Sequence, residues 1–294
     1  MEKLIKPKPF EKLTCSDNFM FAKVMEDKAT CKSVLELLLD IKIDRLTYPE
    51  YEKTLLPGPD GKSIRLDVHT SDSQRDFDIE IQTTLYKELR ERTRYYQSLM
   101  DVDSLKKGHS YEELKDNIII FICLEDLFGL GLPVYTFENI CRENTSVKLE
   151  DRTLKVFYNC SSWMDAGSKD KADFLRFLLT DNAESSLCKK LKEREKKIKM
   201  TARAQKEYMD YCMITQGYYN SGKEDGYKLG EKHGIAIGEN RGKEQGRSEA
   251  KLEAARNMLL DDLPGTAVAK YTGLDIETIQ QLAEKLKAEP VQTN

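Results

Sequence analysis

The sequence lacks any apolar run long enough to cross a membrane. Its longest run, NIIIFICL at 117–124, is far shorter than the roughly 20 apolar residues that a transmembrane helix needs. The first residues, MEKLIKPKPFEKL, also lack the apolar segment of a secretory signal. We therefore expect a cytoplasmic protein with no membrane partner.

Paired cysteines and an excess of positive charge are also missing. The seven cysteines are irregularly spaced and form no Cys-x-x-Cys pair, so zinc and redox motifs gain little support and reduced thiols are expected. Lysine and arginine number 47 against 51 aspartates and glutamates, and the formal net charge is −4. A protein that coats nucleic acid with a uniformly basic surface is therefore excluded. Any nucleic-acid contact must use a local basic patch or metal-bridged phosphates.

The sequence does contain enough apolar residues for a sizeable core. Apolar residues make up 39% and charged residues 33% of the chain, which is typical of a globular but charge-rich protein. With 294 residues, the chain is long enough for one large domain or two ordinary ones.

Strict alternation of apolar and polar residues predicts a β-hairpin at 63–83. If the loop of the hairpin is 72–75, its register places Asp67 directly opposite Glu80. The apolar side chains of both arms are then expected to share one face, formed by Ile64, Leu66, Val68, Phe77, Ile79 and Ile81.

The two opposed carboxylates of this hairpin need a compensating charge. Cross-strand side chains lie only about 5 Å apart, and directly opposed like charges destabilise a sheet. A divalent cation between Asp67 and Glu80 would turn this repulsion into attraction. Mg²⁺ prefers carboxylate oxygens together with water. The alternative interpretation is an exposed sheet face with scattered polar residues.

Two helices and an edge strand are predicted before the hairpin. In residues 14–40 an apolar stripe of helical period follows Ser16 or Asp17, both good N-cap residues, and a leucine-rich second helix comes next. Asp17 is interpreted as a cap, with a position near the metal as the alternative. Residues 45–56 predict an edge strand, because Pro49 lacks the N–H that a ladder needs.

The segments around and after the hairpin complete a sheet. GPDGK at 58–62 predicts a turn, and a helix is predicted at 86–106. The continuously apolar run at 117–124 predicts a central strand covered on both sides, a further strand follows it, and 153–160 is expected to close the sheet. The arginines of the helix suit phosphate contacts, with a solvated helix face as the alternative: Arg90, Arg92 and Arg94.

From about residue 170 the sequence predicts helices only, and 171–214 is expected to be helical throughout. The basic stretch 189–206 fits either nucleic acid or a solvated helix face. Glycine then recurs at every fourth position from 222 to 246. Interior glycines weaken a helix by about 1 kcal/mol each, so this segment indicates either a helical association region or a semi-flexible tether. The A-x3-G-L spacing that starts at Ala269 predicts a helical hairpin.

The order of these elements resembles the PD-(D/E)XK nuclease superfamily, and more closely its recombination-promoting nuclease and transposase branch. The resemblance implies an α/β fold with a mixed β-sheet core flanked by helices and followed by an α-helical C-terminal extension. The glycine repeat and the TGL segment behind it are similar as well. The other segments that carry the resemblance are SDNFMFAKVM (16–25), RLDV (65–68), FDIEIQ (77–82), RTRYYQSLM (92–100) and LKKGHSYEELKDNIIIFICL (105–124).

The resemblance implies a metal site in the hairpin. Asp67 and Glu80 would bind Mg²⁺, or Mn²⁺ as a substitute, and the carbonyl of Ile81 would complete the site. Gln82 stands where the superfamily has its catalytic lysine; glutamine can orient water by hydrogen bonding but carries no charge. The expected auxiliary residues are Asp17, Arg92 and Tyr96.

The implied function is metal-dependent hydrolysis of DNA by an endonuclease. The missing lysine, the acidic net charge and the glycine-striped tail favour an alternative, a nuclease-derived DNA-binding or assembly protein with weak or lost catalysis. We expect four parts: a nuclease-like domain at 1–168, a basic helical extension at 169–220, the glycine repeat at 221–248 and a helical hairpin at 249–294. The helical C-terminal region is expected to join copies of the chain into a homo-oligomer.

Overall fold

The computed structural model describes residues 7–56 and 61–288. The predicted turn at 58–62 lies largely outside these residues. The chain divides after Met213 into two compact units, which are described separately. None of the described helices combines the length and the apolar character needed to cross a membrane.

Eight α-helices and six strands are present in the described residues. The helices are α1 (Asn18–Met25), α2 (Lys28–Leu39), α3 (Leu89–Ser104), α4 (Lys169–Thr180), α5 (Ser186–Lys199), α6 (Ala202–Leu260), α7 (Gly265–Thr272) and α8 (Ile276–Ala288). The strands are β1 (Glu50–Leu55), β2 (Ile64–Ser71), β3 (Arg75–Gln82), β4 (Asp116–Cys123), β5 (Val134–Phe137) and β6 (Thr153–Asn159). Short 3₁₀ helices occupy Phe10–Lys12, Tyr111–Glu113 and Cys160–Asp165.

The strands form one mixed sheet in the order β1-β2-β3-β4-β6-β5. The pairs β3–β4 and β4–β6 are parallel, and the other three pairs are antiparallel. The predicted edge position of β1 is confirmed. The prediction that 153–160 closes the sheet is wrong, because the segment between β4 and β6 supplies β5, which pairs outside β6.

Helices cover both faces of the sheet, which explains why β4 is apolar along its whole length. Ile118, Ile120 and Ile122 join a core formed with α1, α2, α4 and α5. The alternate residues of the strand, Ile119, Phe121 and Cys123, join a second core with α3. A sheet covered in this way needs no polar face. The predicted α/β fold, a mixed sheet flanked by helices, is confirmed.

The helix predicted through 171–214 is interrupted twice. Asp181 ends α4 in the left-handed region with φ +60°, and the side chain of Ser185 caps α5 by accepting the N–H of Cys188. A second break separates α5 from α6 at Met200 and Thr201. These breaks let α4 and α5 fold back and pack separately against the sheet.

The second unit contains most of α6 together with α7 and α8. Ala255, Val268 and Ile279 form its small buried core. The predicted helical corner is present: α7 ends at Gly273, whose φ of +66° suits glycine. The glycines of the repeat lie in α6, and nothing lies within 4 Å of the position that a Cβ would take on any of them.

Candidate active site

The predicted register of the hairpin is confirmed at its turn. Ser71 pairs with Asp76, and the ladder continues to Val68 opposite Ile79. The next residues in this register are Asp67 and Glu80. The turn is held by Asp72, whose carboxylate accepts the backbone N–H groups of the following residues, Gln74 at 2.9 Å and Arg75 at 2.8 Å.

At Asp67 a side chain takes over the hydrogen bonding of the ladder. Oδ2 of Asp67 accepts the N–H of Ile81 at 3.3 Å, and the N–H of Asp67 donates to Oε1 of Glu80 at 2.9 Å. Each carboxylate thus bonds to the backbone of the opposite strand. The two acidic residues are held together where β2 and β3 stop pairing as an ordinary ladder.

The apolar side chains of β2 lie on opposite faces of the sheet before and after the interruption at Asp67. Val68 belongs to the core of α1, α2, α4 and α5, whereas Ile64 and Leu66 belong to the core of α3. The expectation that these three residues share one face with the apolar side chains of β3 is therefore wrong. Alternation predicts a constant face only while the ladder is regular.

The polar side chains of β3 are buried rather than exposed. The exposed fractions of Asp78, Glu80 and Gln82 are 0%, 1% and 6%. This contradicts the alternative of an exposed sheet face, because α3 covers the side of the sheet on which these residues lie. Burial of several carboxylates in one place requires protonation or a cation.

Among the described residues, Arg92 of α3 is the cation that forms an ion pair with one of these carboxylates, that of Glu80. Its Nη2 lies 3.4 Å from Oε2 of Glu80 and donates to the hydroxyl of Tyr96 at 2.9 Å. The guanidinium also lies over the rings of Tyr96 and Phe121. Tyr96 therefore orients Arg92 toward Glu80, and burial followed by the charge of Glu80 raises the pKa of Tyr96 to about 12.

The carboxylates of the hairpin hold protons more tightly than ordinary carboxylates. Burial raises the pKa of Asp67 to about 6, although the Ile81 N–H, Arg65 and Arg92 act in the opposite direction. Burial, and then the charges of neighbouring acidic residues, raise the pKa values of Glu80 and Asp78 well above the usual range. The guanidinium groups of Arg65 and Arg92 lower these pKa values but do not offset the effect of burial.

Asn18 belongs to the site and was missed from the sequence. Its Nδ2 lies 3.5 Å from both Oδ2 of Asp67 and the carbonyl oxygen of Ile81. Asp17 occupies the N-cap position of α1, but its carboxylate makes no side-chain cap and instead bonds to Thr14 and Lys8. The first turn of α1 thus directs Asn18, rather than its acidic neighbour, toward Asp67. The motif SDNF carries no signal that distinguishes the two.

Asp78 is a second residue that sequence reasoning left out of the site. Neither oxygen of its carboxylate has a hydrogen-bond partner among the described residues. Its cross-strand partner is His69, whose pKa is lowered to about 4 by burial and by Lys53. The imidazole is therefore neutral near pH 7 and does not balance the charge. Alternation along β3 places Asp78 on the same face as Glu80, and this was the signal available in the sequence.

The donor atoms fit a hard divalent cation. No three His, Cys, Asp or Glu side chains of the described residues form a group that could hold a metal ion. Asp67 and Glu80 nevertheless offer carboxylate oxygens beside the carbonyl of Ile81, and Mg²⁺ binds through one or two carboxylates while keeping several waters. The unbalanced negative charge at these residues is a further reason why a cation fits here.

The mixed sheet, covered by helices on both faces and carrying acidic residues where two strands part, defines a PD-(D/E)XK-like α/β fold. The sequence model of the PD-(D/E)XK nuclease family transposases matches residues 18–223. The chain therefore belongs to this family, which has a nuclease- or transposase-like function. Searches of the curated proteins and of the solved structures found no match.

Proposed function

We propose that the protein is a Mg²⁺-dependent endonuclease that hydrolyses phosphodiester bonds of DNA. The observation that carries the proposal is the pair of Asp67 and Glu80, each bonded to the backbone of the opposite strand. Family membership supports nuclease chemistry, and the buried negative charge supports a cation at this place.

Asp67, Glu80 and the carbonyl of Ile81 are the residues that would hold Mg²⁺, with Mn²⁺ as a substitute. When bound, such an ion supplies polarisation of the scissile phosphate and lowers the pKa of a coordinated water. The ionised form of Asp67 is the one that binds a cation, so its raised pKa makes binding weaker in acid.

Gln82 and Arg92 would each take one of the two roles that a lysine has in other members of the superfamily, the orientation of water and the neutralisation of phosphate charge. Gln82 follows Glu80 by two residues on β3 and can orient the attacking water by hydrogen bonding. Its amide carries no charge, so the phosphate has to be neutralised by another group. Arg92 is positioned beside Glu80 and offers the donors of a guanidinium to phosphate oxygens.

Plasmid cleavage in Mg²⁺ or Mn²⁺ tests this function. We expect Asp67→Asn and Glu80→Gln, which keep the shape of each side chain, to lose activity by at least about a hundredfold, since even outer-shell changes cost 10- to 100-fold. Glu125→Gln, at an exposed site of the same charge, is the matched control and should cleave normally. Circular dichroism verifies that each variant is folded.

Variants that cleave normally would contradict the assignment of Asp67 and Glu80, whereas an inactive wild-type protein would favour the DNA-binding and assembly alternative. The uncharged Gln82 is the observation that supports this alternative. DNA would remain the partner, and gel-shift binding would persist without cleavage.

We also propose that the C-terminal helices join copies of the chain into a homo-oligomer in the cytoplasm. The exposed glycine stripe of α6 supports close approach of another backbone. The proposed parts remain 1–168, 169–220, 221–248 and 249–294. Sedimentation equilibrium of the full-length chain tests the assembly, and a monomer at all concentrations would contradict it.

A further inference from the structure

A concave site lies beside α3, away from the acidic pair of Asp67 and Glu80. It encloses about 310 Å³, at the lower end of the range of about 300–1,000 Å³ that small-molecule sites have. We call it the aromatic pocket. The residues that give it its character are Phe128, Phe137, Phe157, Arg90 and Lys155.

The rings of the pocket form one cluster. The centroid of Phe128 lies 5.1 Å from that of Phe137 and 5.4 Å from that of Phe157. Phe157 is buried and forms the base, whereas Phe137 is 41% exposed. The cluster therefore offers aromatic surface to a planar ligand, and a nucleobase stacked on an aromatic side chain contributes about 1–3 kcal/mol.

Two cations flank these rings, and neither forms an ion pair within 4 Å among the described residues; the carboxylate of Asp151 acts on Lys155 only at longer range. Lys155 is half-buried, and burial lowers the pKa of its ammonium. Arg90 donates to the carbonyl of Leu127 at 3.3 Å and lies over the ring of Phe128. The pocket's own carboxylate, Glu138, is neutralised by Lys148 at 2.5 Å. The pocket is therefore suited to an anion.

The aromatic pocket belongs to the same face of the sheet as the candidate active site. Glu80 pairs with Phe121 of β4, and Phe121 pairs with Phe157 of β6. Two strand spacings separate Glu80 from the base of the pocket, which is about 10 Å. α3 carries Arg92 toward Glu80 and Arg90 toward Phe128.

We propose that the aromatic pocket binds a single nucleotide, with its base stacked on Phe128 and Phe137 and its phosphate bound by Lys155 and Arg90. An aromatic surface beside two cations matches a ligand that is planar at one end and anionic at the other. Free nucleotides and a nucleotide within a DNA strand share this chemistry. Nucleotide binding of this kind goes beyond cleavage, because it requires neither a metal nor hydrolysis.

Calorimetric titration of the full-length protein in EDTA tests the pocket, with dAMP as one ligand and a short single-stranded oligodeoxyadenylate as the other. Lys155→Gln should weaken binding about tenfold, the value of one charge-assisted hydrogen bond. Phe137→Ala should weaken it about tenfold by removing a stacking surface. Lys155→Arg should restore binding. Lys107→Gln, at an exposed lysine, is the charge-matched control and should bind as the wild type does.

If binding of both ligands is weakened by the changes at Lys155 and Phe137, the pocket is a site for free nucleotides. If only binding of the oligodeoxyadenylate is weakened, the pocket is a site for one nucleotide of a strand. The proposal is overturned if neither variant weakens either ligand. It is also overturned if inorganic phosphate binds as tightly as dAMP and Phe137→Ala has no effect, because the site is then a simple anion site. Since EDTA removes metal-dependent cleavage, failure of the nuclease proposal leaves this result unaffected.

Discussion

Asp67 combines two roles in one side chain. It would bind the metal, and it accepts the N–H of Ile81 that an ordinary ladder would pair with backbone. Truncation to alanine would therefore remove a ligand and also leave a buried donor unpaired, which costs about 1–3 kcal/mol. Asparagine keeps an acceptor oxygen for the Ile81 N–H, so Asp67→Asn tests the role in metal binding without removing this hydrogen bond.

Asn18 is expected to position Asp67. We predict that Asn18→Ala lowers Mg²⁺-dependent cleavage about tenfold, as the loss of an outer-shell partner does, and weakens Mn²⁺ binding measured by electron paramagnetic resonance. Asp17→Asn is the matched control, because the carboxylate of Asp17 bonds to Thr14 and Lys8 instead. Equal losses in the two variants would contradict this assignment.

The buried carboxylates should make the metal-free protein less stable as pH rises. The pKa of Asp67 is about 6 in the folded state and about 3.9 when unfolded, so the folded state binds more protons between these values. Unfolding free energy therefore falls with rising pH across that window. We predict that the melting temperature in EDTA drops by roughly 5 °C or more between about pH 4 and pH 7.

Asp78→Asn provides the control for this pH dependence. It removes one buried negative charge without changing the size of the side chain, so it should raise the melting temperature in EDTA at neutral pH. Saturating Mg²⁺ should stabilise the wild type at neutral pH by binding the folded state. A pH profile that neither the substitution nor the ion changes would show that these carboxylates do not control stability.

At the scale of elements, α6 is unusual because its glycines are exposed. An added Cβ on Gly230 or Gly238 would meet nothing within 4 Å. We predict that alanine at each position increases helix stability by about 1 kcal/mol, measured by thermal unfolding followed at the helix signal of circular dichroism.

Gly273→Ala is the contrasting control for the helix prediction. Gly273 has φ +66° at the end of α7, where an L side chain is strained, so this variant should be less stable. Destabilisation by alanine at Gly230, together with a change of oligomer size, would instead show that the stripe contacts another backbone. That outcome would favour the association alternative over the tether.

At the scale of the whole molecule, the two units have separate cores. We predict two unfolding transitions in calorimetry. Ile279→Ala should lower the transition temperature of the second unit only, because loss of a buried isoleucine costs about 2–5 kcal/mol in its own core. Ile120→Val, at a buried position of β4, should shift the other transition. A single transition that responds to both variants would contradict this division.

Local patterns in the sequence determined much of the fold. The continuous apolar run at 117–124 identified the central strand, Pro49 identified the edge, and alternation with a short loop identified the register of the hairpin. These features depend on neighbours along the chain or on one adjacent strand. The helix breaks at Asp181 and Met200 were not predicted, because the tertiary packing of α4 and α5 against the sheet overrides a helical composition.

The acidic pair of Asp67 and Glu80 was also determined by the sequence, since a two-residue period and one turn suffice to place them opposite each other. Only the tertiary structure decided that β2 changes faces at Asp67, that Asn18 rather than Asp17 approaches it, and that Asp78 is buried without a partner. These features depend on the packing of α1 and α3 against the sheet, which lies outside the hairpin itself. Burial and charge balance are properties of the assembled fold, and local periodicity does not encode them.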